Sequence, residues 1–134
     1  MLFSILLFGL AGTTLDLLLL KHHDDAAQFI PFAVLGLGIA VVVWHLVAET
    51  ASSRVAMRLT MIVFVATALL GMGLHFRGNV QFQKEIDPTI HGFALFEKAV
   101  YAKAPPALAP SVMLWFGLLG FACTYLVTNK GERK

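Results

Sequence analysis

The chain of 134 residues has one cysteine, Cys123, set inside its last apolar stretch. It can therefore form no internal disulfide and no cysteine-built metal cage. Charge is also scarce: ten Lys and Arg and eight Asp and Glu make up 13% of the residues, for a formal net charge of +2. The cations are scattered through connections and the tail, leaving no polybasic stripe of the kind that tracks nucleic acid. Catalytic signatures are missing as well. There is no Gly-x-Ser-x-Gly elbow, no phosphate-cradling glycine loop and no Cys-x-x-Cys pair. The glycines cluster instead inside apolar runs, where close helix packing accounts for them. Nothing in the sequence supports an enzyme.

What the chain has is hydrophobic length. Apolar residues reach 58%, and they gather in four runs at residues 2–20, 30–48, 59–76 and 112–128. At ~1.5 Å of rise per residue, runs of this length make helices of roughly 26–28 Å, close to the ~30 Å hydrocarbon core of a bilayer. No Lys or Arg precedes the first run, so it reads as a retained membrane helix, not a secretory signal. The expected fold is all-α: an integral membrane four-helix antiparallel bundle, up-down-up-down, forming a single membrane domain over residues 1–134. Membrane lipids are then its first partners.

Loop charges orient the bundle. Arg54 and Arg58 in the short second connection join Lys130, Arg133 and Lys134 in the tail on one side. Lys21, Arg77, Lys84, Lys98 and Lys103 lie on the other, diluted by Asp24, Asp25, Glu85, Asp87 and Glu97. The undiluted set, packed next to helix ends, is expected inside, which makes both termini cytoplasmic in a multi-pass inner-membrane protein. The sizeable outer loop, 77–111, carries Phe93, Phe96, Val100 and Tyr101 at helical spacing, which predicts a short interfacial amphipathic helix within residues 89–103. Pro105, Pro106 and Pro110 then stiffen the lead-in to the fourth run, with Ser111 as its expected cap. Small residues in each run (Gly9 and Gly12; Gly36 and Ala40; Ala68, Gly71 and Gly73; Gly117 and Gly120) offer faces for close helix contact. The large residues Trp44, Trp115, Phe116 and Phe121 read as interfacial anchors or as contacts for lipid, pigment or a partner.

Ionisable residues within a membrane are functional candidates. Asp16 sits about 6 Å below the outer end of the first run by helical rise. The alternation of helices puts it on the side of His22, His23, His75, Arg77 and His91. Imidazoles and carboxylates together could ligate Zn²⁺ or Cu²⁺ or relay protons, giving a candidate metal set of Asp16, His22, His23, His75 and His91. The alternative is a structural network in which Asp16 pairs with Arg77, Lys21 or a histidine. At the inner end, His45 and Glu49 share a helical face. They could handle a proton together, or Glu49 could pair with Arg54 or Arg58 while His45 makes one interhelical hydrogen bond. His45 and His75 lie at opposite ends and cannot be the axial pair of one haem. No cofactor is required by the sequence, though a metal, lipid or pigment could be bound.

The run Gly73-Leu74-His75-Phe76-Arg77-Gly78-Asn79-Val80-Gln81-Phe82, followed by Glu85, Pro88 and Ala104-Pro105-Pro106-Ala107-Leu108-Ala109-Pro110, resembles a pattern in a family of small, uncharacterised four-helix bacterial inner-membrane proteins. The resemblance runs from the third helix through the fourth. It implies the same membrane location and carries over no functional residue. Three functions are therefore expected in descending order. The first is a non-catalytic accessory subunit of a larger respiratory or photosynthetic membrane complex, docking through Phe93, Phe96, Tyr101 and Trp115. The second is a metal- or cofactor-binding membrane protein built on the outer His and Asp cluster, and the third a small transporter.

Overall fold

A computed structural model describes residues 1–20, 26–102 and 108–131, with residues 108–109 and 126–131 described by their backbone alone. It is all-helical among these residues. Helix α1 spans Leu2–Leu19 and α2 spans Phe29–Val47, led in by a 3₁₀ turn at Ala26–Gln28. Helix α3 spans Ala51–Ile86, α4 spans Gly92–Val100 and α5 spans Leu108–Gly131. Three stretches, Leu2–Leu19, Ala26–Val47 and Ala51–Ile86, are long and apolar enough to cross a membrane. The apolar part described in the last helix, Pro110–Tyr125, is shorter.

The apolar runs are helical, but two of the expected boundaries move. Helix α3 has 36 residues, about 54 Å at ~1.5 Å each, and reaches beyond 59–76 at both ends. Its start is fixed by a capping box: the Ser53 N–H donates to Thr50 Oγ1 at 3.1 Å, and the Thr50 N–H donates to Ser53 Oγ at 3.0 Å. Its far end runs through Arg77 to Ile86 because no proline interrupts until Pro88 and most of the residues there are compatible with helix. The outer loop expected over 77–111 thus begins as helix. Helix α5 starts at Leu108, so Ser111 lies inside it and not at its N-cap position. Pro110 falls in its first turn, where a missing N–H costs no hydrogen bond.

Helices α1 and α3 each pack on α2 and on α5, while the backbones of α1 and α3 make no close approach to each other. The α3–α5 seam is the most extensive. At the centre Phe64 meets Phe116 edge to face, with ring centroids 6.1 Å apart and planes at 88°. Each ring lies over a glycine: a Cβ on Gly38 would stand 2.7 Å from Phe64, and one on Gly9 would stand 2.6 Å from Phe116. Phe116 is thus buried in the core and is no interfacial anchor. Gly117 and Gly120 close the α3–α5 seam against Val65 and Met61, and Gly71 faces Pro110. Gly12, Gly36 and Gly73 face open space. Leu6, Leu10, Leu35, Val42, Met57 and Met61 complete the core.

Candidate functional site

Two polar constellations and one cavity stand out. The first polar group closes the turn between α2 and α3. His45 is 3% exposed and its Nδ1 lies 2.9 Å from Ser53 Oγ, on a residue with no exposure at all. The single Ser53 hydroxyl proton has the Ala48 carbonyl at 2.8 Å and the Thr50 carbonyl at 3.0 Å within reach. The hydroxyl oxygen accepts the Thr50 N–H, and the direction of the bond to His45 Nδ1 follows the imidazole tautomer. The His45 ring leans on Phe3 at 5.4 Å between centroids. Glu49 is exposed in the turn and Arg54 is half-buried. The hydrogen bond of His45 therefore goes to Ser53, eight residues along the chain. Ser53→Ala should destabilise the protein by about 1–3 kcal/mol, since it breaks the capping box and leaves the buried His45 Nδ1 without its partner. Equilibrium unfolding in detergent reads this, and a loss below about 0.5 kcal/mol would contradict the arrangement.

The second constellation sits after α3. Both the Thr89 N–H, at 3.0 Å, and its hydroxyl, at 2.6 Å, donate to Asp87 Oδ1. The hydroxyl bond first and the backbone bond second hold the Asp87 carboxyl below its ordinary value, with the Lys98 charge adding to them. The His91 Nδ1–H donates to the Thr89 carbonyl at 2.7 Å. Gly92 then enters α4 at φ +62°, which a side chain would resist. Because the folded pKa of Asp87 is depressed, the turn is supported above the unfolded value near ~3.9 and loses that support as pH falls through the lower folded value. Exchange of the Thr89 amide should accelerate below about pH 4 beyond its intrinsic rate, and Asp87→Asn should abolish that pH step.

Helix α4 folds back on α3. Phe96 lies 5.8 Å from Phe76, and the Asn79 side-chain amide donates to the Ala99 carbonyl at 3.0 Å. Phe93, Phe96 and Tyr101 remain exposed, as does Trp115 on α5. Asp16 and Arg77 are both exposed, on helices whose backbones make no close approach to each other. His91 is exposed at the start of α4, away from the half-buried His75. Among the described residues no three His, Cys, Asp or Glu side chains come together to hold a metal. His22 and His23 lie outside the described residues.

The cavity, of about 320 Å³, lies at the end of the molecule where α1 finishes and α5 begins. It was not read from the sequence. One face of α3 forms its long wall, through Thr67, Leu70, Gly71, Leu74, His75, Gly78 and Asn79. Residues of α1, of the start of α2 and of α5, among them Thr13, Leu17, Gln28, Ile30, Pro110 and Met113, form the remainder. The α3 positions recur at three- and four-residue intervals, the spacing of one helical face, so the sequence did hold a signal for it. Apolar periodicity alone does not tell a packed face from one that borders a void.

No protein-family model, no curated protein and no solved structure matches this chain.

Proposed function

We propose that this chain is a multi-pass membrane protein whose helices α1, α2, α3 and α5 cross the bilayer as an antiparallel four-helix bundle. In this reading it serves, without catalytic activity of its own, as an accessory subunit of a larger inner-membrane complex of the respiratory or photosynthetic kind. The observation that carries the membrane assignment is that apolar side chains point outward. Only Leu6 and Leu10 of the 18 residues of α1 are buried, while Phe8 is 83% exposed and Leu19 74%. A surface of this kind is stable in hydrocarbon and unfavourable in water. The packing of α1 and α3 on both α2 and α5 supports a closed ring of four helices. Both termini then share one side, the cytoplasmic one by the charge bias of the short inner connection and tail.

Docking on a larger complex is supported by the shape of the outer end. At about 54 Å, α3 outruns a ~30 Å hydrocarbon core by several turns. Against those turns lies α4, with Phe93, Phe96 and Tyr101 uncovered. Aromatic side chains of this kind anchor protein interfaces. Extracted from native membranes in digitonin, the protein should migrate far above its 14.6 kDa with a fixed set of other subunits. The double substitution Phe93→Ala and Phe96→Ala should release it to the mass of the free chain. Migration as a lone chain or as a self-oligomer from the outset would refute the subunit reading.

A further inference from the structure

The cavity has a direction. Along α3 its wall runs from Thr67 to Asn79, which is twelve residues or roughly 18 Å of helix. Gln28, His75 and Asn79 gather at the outer end, whereas Leu70, Gly71 and Met113 line the stretch below them. None of the described lining residues is charged. Leu70, Leu74 and Ile30 line the space and are nevertheless exposed, so it opens at the surface of the bundle. The space exists because the helices do not close there. Gly71 lets Pro110 approach at one point, and at Gly78 nothing lies within 4 Å of where a Cβ would be.

We propose that this cavity binds one neutral single-chain lipid. The tail lies along the α3 wall, and an uncharged head bearing carbonyl or hydroxyl oxygens is hydrogen-bonded by His75. Length and polarity argue for the tail and the head respectively, and the lack of charge among the described lining residues selects against a phosphate or carboxylate head, whose desolvation would go uncompensated. The volume lies at the lower end of the ~300–1,000 Å³ typical of small-molecule sites, enough for one chain. His75 suits the role because its ring can donate or accept, and no described residue hydrogen-bonds it. The inference rests on the bundle lying in a bilayer.

The test is photolabelling of the full chain in phosphatidylcholine nanodiscs with a monopalmitoyl glycerol bearing a mid-chain diazirine, the sites being mapped by mass spectrometry. Labels are expected on Leu70, Leu74 or Met113, in addition to bilayer-facing positions such as Phe8 and Trp115. Unlabelled monopalmitoyl glycerol or decylbenzoquinone should compete for the cavity labels, and whichever competes at the lower concentration distinguishes an acylglycerol from a quinone source. Palmitate at pH 8 should not compete. Gly78→Phe, which projects a ring into open space, should cut the cavity labels at least tenfold and leave the Phe8 and Trp115 labels and the melting temperature unchanged. His75→Ala should weaken competition about tenfold, the worth of one well-placed hydrogen bond, and His75→Asn should restore part of it. Cavity labels that survive Gly78→Phe, competition by palmitate equal to that of the neutral lipids, or failure of both neutral competitors would overturn the proposal. If Phe8 and Trp115 also stay unlabelled, it is the membrane assignment that has failed.

Discussion

Phe64→Ala is expected to cost the protein about 3 kcal/mol in detergent or lipid, towards the lower end of the ~3–5 kcal/mol the same change costs in a water-soluble core. Phe64 has no exposed surface, meets Phe116 edge to face and lies over Gly38. In water, truncation forfeits both the transfer of a large apolar side chain and the packing around it. In hydrocarbon the separated helices keep Phe64 in an apolar medium, so the transfer part falls away and the void remains. A residual void on the order of 100 Å³ at ~24 cal/mol per Å³ gives about 2 kcal/mol, to which the lost ring pair adds ~0.5–1.5. Unfolding by graded additions of a denaturing detergent reads the difference. Phe116→Ala removes the other ring of the pair, so the double variant should cost less than the sum of the singles. Full additivity would mean that the two rings do not form the core of the bundle.

Much of this architecture was written in hydropathy. Each apolar run is helical, and a helix pairs its backbone groups within the segment itself whatever surrounds it. What hydropathy could not show is where polar helix continues. The residues from Arg77 to Ile86 and from Ala51 to Arg58 propagate α3 by local propensity and by the Thr50 and Ser53 capping box, neither of which depends on apolar character. The periodicity of Phe93, Phe96 and Val100 does locate α4, because an amphipathic face carries both period and contrast. Burial within an apolar run was less legible. Phe116 and Trp115 are adjacent and both aromatic, yet one is buried in the core and the other 68% exposed, which their order along the chain cannot reveal.

Polar placement was legible at the level of depth and not of partner. His45 was readable as a residue with one hydrogen bond to make. Its partner, Ser53, lies across a turn whose geometry is set by the capping box, and helical spacing, which puts Glu49 on the same face, leaves an interhelical partner unnamed. Similarly, Asp16 and His75 belong to the same end of the molecule, where Leu17 and His75 line one cavity. Asp16, one residue earlier in α1, is turned outward. A shift of one residue rotates a side chain by about 100° around a helix, so shared depth says little about contact. The cavity arises from what is missing between helices, and only coordinates disclose a void.

Gly117→Ala is expected to be the most disruptive of the glycine-to-alanine changes along the α3–α5 seam, lowering stability by about 1–3 kcal/mol even though alanine is the better helix former by ~1 kcal/mol. The added Cβ would stand 2.8 Å from Val65 Cγ2, 3.1 Å from the Met61 carbonyl oxygen and 3.4 Å from Phe64 Cβ. A methyl group can rotate away, but a carbonyl within α3 cannot, so relief requires α3 and α5 to separate along the most extensive seam of the bundle. Two other glycines serve as controls. A Cβ at Gly120 meets the Met61 side chain, whose flexible thioether can swing aside, so Gly120→Ala should cost less than Gly117→Ala. A Cβ at Gly12 meets nothing within 4 Å, and Gly12→Ala should be neutral or stabilising. Denaturing-detergent titrations of the three variants should rank them in that order. A Gly117→Ala protein as stable as Gly12→Ala would mean that α3 and α5 do not approach through this glycine, and that the packing that shapes both the core and the cavity wall is different.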